Sequence, residues 1–208
     1  MKYKCIIGSG DFLEIVFHAW KQACPDISLQ RLEIRQGEDY EFDLSLFDDV
    51  CADQDGLFIA LDERFGNFKR AELMQAALAR GFRLGSFVSP SASVAGNVIM
   101  GQNVFIGDHA SIGPGCQIGF NSMVHTGARL GPGCIIKPSC WIESGVQVGA
   151  HVEIGAHCIL RAGTLVEERI KIGRGCELGW PRLYRENIPS NTIFDLRYDE
   201  PIFVFPGS

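Results

Sequence analysis

The chain has 208 residues, of which 46% are hydrophobic and 21% charged, and its formal net charge is −6. This composition excludes a disordered chain and is typical of a globular protein with a sizeable core. The acidic balance and the lack of a long Lys/Arg run argue against nucleic acid or an anionic membrane as a partner. No apolar stretch approaches the roughly 18 residues of a membrane-spanning helix or forms a signal-peptide core. We therefore expect a cytoplasmic protein with no membrane insertion.

Residues 1–85 predict a Rossmann-like α/β unit. A buried N-terminal strand runs into the turn Gly8-Ser9-Gly10, and a helical pattern follows over 11–24. A second buried strand, 56–61, precedes a second helical pattern over 70–80. The order strand, glycine turn, helix, strand, helix indicates a parallel sheet.

The turn formed by Gly8, Ser9 and Gly10 is the candidate substrate-binding segment of this unit. Backbone amides at a strand-to-helix turn hold phosphate groups, which predicts a nucleotide-phosphate site. The alternative is that the glycines are required only for close packing. A dinucleotide site is disfavoured, because Leu13 stands where the fingerprint has its third glycine and the unit is too short for two nucleotide-binding halves.

The second half of the chain carries a repeat of six residues. Sixteen positions from Val88 to Leu178, spaced six apart, are all apolar. The residue four places after each is small or β-branched for most of the run, and glycine often follows directly after the apolar residue, as at Gly113 and Gly155. We predict a short strand and a tight turn in each repeat, with Gly or Asn where φ is positive.

Three such repeats close a coil of 18 residues, so that residues i and i+18 stack at about 4.8 Å. The pattern predicts a parallel β-helix over residues 86–180, in which each coil buries the core of its neighbours. Hexapeptide repeats of this form wind left-handed, against the usual crossover rule. Residues 181–208 are expected to form an irregular tail.

The eight cysteines are predicted to be structural thiols rather than a disulfide framework or a metal site. No Cys-x-x-Cys pair occurs, and the spacing of the histidines does not favour a metal site either. His109, His151 and His157 fall at turn positions of the repeat. Five cysteines occupy its small inward position, where Cys acts as a compact hydrophobe: Cys116, Cys134, Cys140, Cys158 and Cys176.

Three segments carry a resemblance to a known family: the link 80–94, the strand Leu57-Phe-Ile-Ala-Leu-Asp62, and Asn121-Ser-Met-Val-His-Thr-Gly-Ala128. With the glycine turn and the repeat, they resemble the sugar acyltransferases that include bacillosamine N-acetyltransferase and sialic acid O-acetyltransferase. The resemblance implies a homotrimer that acetylates a nucleotide-linked amino sugar of surface-polysaccharide synthesis, with acetyl-CoA as the acyl donor. The nucleotide-sugar is then held partly by the N-terminal unit.

The resemblance also implies an acyl-CoA site between adjacent β-helices, to which we assign Trp141, Gly145 and Gly163. The family pattern has a histidine base with an acidic neighbour where this chain has Pro132 and Gly133, and a second histidine where it has Trp141. Neither proline nor indole accepts a proton. The alternative function is therefore a non-catalytic relative that binds a nucleotide-sugar or a partner enzyme.

A substitute base is offered by the spacing of the coils. His125, Glu143 and Arg161 lie 18 residues apart and are predicted to stack in one outward column, here called the corner column. We predict His125 and Glu143 as a catalytic histidine–carboxylate pair; the alternative is a structural charge ladder. A second outward set, here called the apolar column, is expected to be exposed and to mark a subunit interface: Phe105, Met123, Trp141 and Ile159.

Overall fold

The computed structural model describes residues 3–50 and 56–204, and the chain divides into two compact units, Met1–Phe87 and Val88–Ser208. Within the described ranges, no helix has the length and apolarity needed to cross a membrane.

The first unit is a small parallel α/β structure. Its three strands have the order β2-β1-β3, and β1 pairs in parallel with both neighbours. The elements in chain order are β1 (Tyr3–Gly8), α1 (Gly10–Ala23), β2 (Ser28–Glu33), a 3-10 helix (Leu44–Asp49), β3 (Leu57–Ala60), a 3-10 turn (Arg64–Asn67) and α2 (Phe68–Ala79). The predicted parallel α/β unit is confirmed. The sequence did not predict β2, because this edge strand is polar and only partly buried.

The second unit is a parallel β-helix built from two-residue strands. They are β4 (Phe87–Val88), β5 (Ser93–Val94), β6 (Ile99–Met100), β7 (Phe105–Ile106), β8 (Ser111–Ile112), β9 (Gln117–Ile118), β10 (Met123–Val124), β11 (Arg129–Leu130), β12 (Ile135–Ile136), β13 (Trp141–Ile142), β14 (Gln147–Val148), β15 (Glu153–Ile154), β16 (Ile159–Leu160), β17 (Leu165–Val166), β18 (Lys171–Ile172) and β19 (Glu177–Leu178). Each predicted apolar position is the second residue of one of these strands. From Ile106 onward all of them are buried.

Strands three apart pair in parallel, so residues 18 apart are neighbours: Met123 lies between Phe105 and Trp141, and Leu130 lies between Ile112 and Val148. The five cysteines of the repeat are buried in the core. Their thiols donate to backbone carbonyls, as Cys134 Sγ does to Gly149 O at 3.0 Å. The predicted β-helix and its inward cysteines are confirmed.

The glycine positions differ from the prediction in one respect. The glycines directly after the apolar residues do not have positive φ; at Gly113 and Gly155, a Cβ would lie 2.7 and 2.5 Å from backbone nitrogens of the next coil. The positive φ occurs two residues later, and Gly, Asn, His, Ser and Arg all occupy that position. The first glycine is thus required by the close stacking of the coils, and the second position sets the turn.

The tail is not irregular, contrary to expectation. Three further strands, β20 (Leu183–Tyr184), β21 (Thr192–Phe194) and β22 (Ile202–Phe203), extend the β-helix, and Glu177 pairs with Ile193, 16 residues on. Because that spacing is 16 rather than 18, the six-residue phase no longer identifies these strands. Tyr184 and Phe194 close the end of the core, with ring centroids 5.1 Å apart.

Candidate functional site

The coil register places the corner column as the sequence predicts. Val124, Ile142 and Leu160 are stacked partners, and His125, Glu143 and Arg161 each follow one of them at the same corner. The backbone holds this alignment, because His125 N donates to Ile142 O and Glu143 N donates to Leu160 O, both at 2.9 Å.

Glu143 is bonded to the following coil. Its Oε1 accepts from Arg161 Nη1 at 2.7 Å and its Oε2 accepts from Ala162 N at 2.8 Å. Arg161 Nε also donates to Glu177 Oε1 at 2.8 Å, so one guanidinium bridges two carboxylates. These residues line a cavity of about 340 Å³ together with Asp195 and others. The arrangement fixes Glu143 in place, and the catalytic roles of His125 and Glu143 stay predictions.

His125 is half-buried beside the apolar column, and its ring centroid lies 4.2 Å from that of Trp141 and 6.0 Å from that of Phe105. The expectation that the apolar column is exposed is wrong. Phe105, Met123, Trp141 and Ile159 are 0–6% exposed, because the register stacks them on one another and the His125 ring covers part of their surface. They offer no exposed seam to a second subunit.

The residues assigned to acyl-CoA fall in two environments. Trp141 is buried against His125, whereas Gly145 and Gly163 are exposed turn residues with φ of +73° and +83°. Nothing lies within 4 Å of a Cβ built on Gly145, so the backbone is open there. Their role in binding stays a prediction.

The turn histidines are placed as predicted, since His109, His151 and His157 have φ of 54–61° in the tight turns. Among the residues that the structure describes, no group of three His, Cys, Asp or Glu side chains has an arrangement that suits a metal ion.

In the first unit, the Gly8-Ser9-Gly10 turn has a steric and a conformational requirement for glycine. A Cβ on Gly8 would lie 1.8 Å from Ala60 O, and Gly10 has φ of +67° where α1 begins. Ser9 N donates to Ala60 O at 3.3 Å, and the Ser9 hydroxyl does not cap the helix. The alternative that the glycines serve packing is therefore correct for Gly8, and phosphate binding by this turn stays a prediction.

The sequence analysis did not identify the side chains that surround this turn. Arg64, Phe65 and Lys69 line a small cleft with Ser9. The Arg64 Nη2 atom lies 3.2 Å from the place a Cβ of Gly10 would take, and the exposed rings of Phe65 and Tyr40 are 5.2 Å apart. The signal that was available is their position after β3, since ligands of parallel sheets bind outside the carboxyl ends of the strands.

The comparison with protein families matches residues 109–140 and 136–168 to the bacterial transferase hexapeptide model of six repeats. No curated protein sequence gives a significant match.

Solved structures match nearly the whole chain. A variant of perosamine N-acetyltransferase from Caulobacter crescentus, in complex with CoA and GDP-perosamine, is 22% identical with a TM-score of 0.79, over 93% of each chain. The acetyltransferase domain of PglB from Neisseria gonorrhoeae, in complex with acetyl coenzyme A, is 21% identical with a TM-score of 0.68, over 97% of this chain and 99% of the other. WeeI from Acinetobacter baumannii is 15% identical with a TM-score of 0.62, over 97% and 100%. The predicted resemblance is confirmed: the chain has the fold of these sugar N-acetyltransferases, and residues 109–168 carry the hexapeptide repeat of bacterial transferases.

Proposed function

We propose that this protein transfers the acetyl group of acetyl-CoA to the amine of a nucleotide-linked amino sugar. The observation that carries the proposal is the two-part fold, an α/β unit followed by a hexapeptide β-helix. That combination is shared over 93% of both chains with an N-acetyltransferase that holds CoA and GDP-perosamine in its crystals. The non-catalytic alternative has no such observation in its favour.

The first unit is the proposed site of the nucleotide part. The Gly8–Gly10 turn begins α1, where helix amides favour phosphate, and Arg64 and Lys69 supply positive charge at the same cleft. A hydrogen bond to Glu72 raises the pKa of Lys69, which keeps it protonated at neutral pH. The exposed Tyr40 and Phe65 rings beside these cations offer flat apolar surface for a base or a sugar.

The β-helix is the proposed site of the acyl donor, with Trp141, Gly145 and Gly163 as candidate contacts. Exposed glycines in successive turns leave backbone amides and carbonyls open to a long, flexible ligand. We propose a homotrimer in which the donor lies between adjacent β-helices. The free cysteines of the described chain are consistent with a reducing compartment, the cytoplasm.

The chemistry requires one proton transfer. The amine nitrogen attacks the thioester carbonyl, the C–N bond forms, and the C–S bond breaks as the tetrahedral intermediate collapses. Backbone amides are suited to hold the oxyanion. His125 is the proposed acceptor of the amine proton, which it then returns to the departing thiolate of CoA. Glu143, fixed by Arg161 and Ala162 N, supplies negative charge one coil below the imidazole.

The test is a thiol-release assay with acetyl-CoA and a panel of amino sugars linked to GDP, UDP and dTDP, with mass spectrometry of the products. We expect acetylated product with at least one acceptor, and calorimetric binding of CoA in the micromolar range. Failure to bind CoA at millimolar concentration, together with no release of thiol on any acceptor, would refute the proposal. CoA release without an acceptor would indicate hydrolysis instead.

A further inference from the structure

Arg70 is a fully buried arginine in the first unit, on the first turn of α2. Its Nη1 donates to Leu61 O at 3.1 Å and to Asp62 O at 2.9 Å, and its Nη2 donates to the side-chain Oδ1 of Asn67 at 2.7 Å. Burial of a guanidinium is unfavourable unless its hydrogen bonds are well made. The bonds of Arg70 go to both ends of one segment, Leu61–Asn67, here called the β3–α2 segment.

The β3–α2 segment has an unusual backbone. Phe65, Gly66 and Asn67 have φ of 53°, 62° and 65°, three consecutive residues in the left-handed region. Only glycine, and to a lesser degree asparagine, adopts this region readily, so Phe65 is strained. Such a conformation persists when the surroundings impose it. Here Arg70 ties the carbonyls before the left-handed residues to the Asn67 side chain at their end.

The strained residues carry the groups that face the glycine turn. The Arg64 guanidinium lies over Gly10, and the Phe65 ring, 52% exposed, lies against Tyr40. If the segment relaxed to right-handed φ values, both side chains would leave these places. The conformation imposed by Arg70 therefore decides the shape and charge of the cleft beside Ser9.

We propose that Arg70 is a positioning residue for the acceptor: through Asn67 it preorganises the β3–α2 segment to bind the nucleoside diphosphate part of the nucleotide-sugar. The inference rests on the proposed function, and it assigns to the segment control over acceptor affinity but not over donor affinity.

Variants of Asn67 test this without emptying the core. Asn67→Gly keeps access to positive φ but removes the oxygen that Arg70 binds, whereas Asn67→Asp keeps an acceptor oxygen. Since a hydrogen bond to a charged group is worth roughly a 10- to 100-fold change in an equilibrium constant, we expect Asn67→Gly to weaken binding of GDP or UDP by that factor. We expect Asn67→Asp to stay within about threefold of wild type.

Calorimetry with GDP, UDP and, separately, CoA provides the readouts. CoA affinity should be unchanged in both variants, and the acceptor KM should rise in Asn67→Gly with little change in kcat. Arg83→Met, at an exposed arginine of the same unit, is the matched control and should resemble wild type. Arg70→Lys, which keeps the charge but not the planar fork, should weaken GDP or UDP binding in the same direction.

Equal nucleotide affinity in wild type and Asn67→Gly would overturn the inference and leave the proposed function standing. Parallel loss of CoA affinity in Asn67→Gly would also overturn it, because the effect would then be general unfolding. A wild-type protein that binds neither GDP nor UDP would refute the proposed acceptor and the inference with it.

Discussion

Two glycines of one turn make opposite demands on the fold, and substitution by alanine separates them. A Cβ on Gly113 would lie 2.7 Å from Pro132 N and 2.9 Å from Gly131 C. Both are backbone atoms of the next coil, so the coils must move apart. On Gly115, with φ of +73°, the nearest atom would be 3.9 Å away. The first site is limited by space and the second by conformation.

The expected costs follow from these distances. Overpacking against a rigid backbone costs about 2–3 kcal/mol, which is our expectation for Gly113→Ala. The left-handed conformation costs an alanine about 1–2 kcal/mol, partly offset by about 0.5 kcal/mol from the less flexible unfolded chain. We therefore expect about 1 kcal/mol for Gly115→Ala and a smaller loss for Gly115→Asn, since asparagine tolerates positive φ.

The assay is urea unfolding at one fixed protein concentration, followed by the fluorescence of Trp141 and Trp180, which lie in the β-helix. Gly113→Ala should lower the midpoint more than Gly115→Ala, without a change in slope. If Gly115→Ala is the more damaging variant, the assignment of steric and conformational roles to the two glycines is wrong.

Four further outcomes are expected. His125→Gln should lower kcat by roughly 10²- to 10⁴-fold in the thiol-release assay, the usual contribution of a general base. Light scattering should give three times the mass of the chain. Burial raises the pKa of the Cys134 thiol to about 11, so iodoacetamide at pH 8 should modify the half-buried Cys24 well before Cys134 in the folded protein. The Arg197 side chain lowers the pKa of Asp195 from 3.8 to about 2; the associated stabilisation is full above the unfolded value and is lost as the pH falls through the folded one, and in Arg197→Gln a carboxyl NMR titration should show the pKa returned toward 3.8.

Each of these has a contrary result. Unchanged turnover of His125→Gln on the true acceptor would exclude His125 as the base and favour the structural charge ladder. A monomer in solution would exclude a donor site between β-helices. Modification of Cys134 at the same rate as Cys24 would mean that the coil opens on the time scale of alkylation, and an Asp195 pKa that is the same with and without Arg197 would remove the assigned cause.

The corner column shows what the repeat predicts about a site and what it leaves open. The 18-residue coil fixes that His125, Glu143 and Arg161 follow one another at one corner, because backbone pairing leaves no freedom of register. It does not fix the partner of each side chain. Arg161 takes Glu143 and also Glu177, which lies 16 residues on and outside the column. Side-chain reach, and not the repeat, decides those bonds.

The first unit shows a larger gap between sequence and structure. Its buried strands and helices follow from apolar runs and periodicity, but the β3–α2 segment carries no such pattern. Three left-handed residues in a row, one of them Phe65, contradict local preference and exist because Arg70 is buried beneath them. An arginine in an amphipathic helix is ordinarily exposed, so the sequence gives no reason to place this one in the interior.

The sequence by itself determined the β-helix, its register and the inward position of its cysteines, because each coil pairs with the next through a period that no insertion disturbs up to Leu178. It also determined the α/β unit, whose buried strands are continuous apolar runs. Tertiary structure alone decided that the apolar column is covered, that the tail adds strands at a spacing of 16 residues, and that Arg70 holds a strained turn beside Gly10. These depend on contacts between distant residues, which a local pattern does not encode.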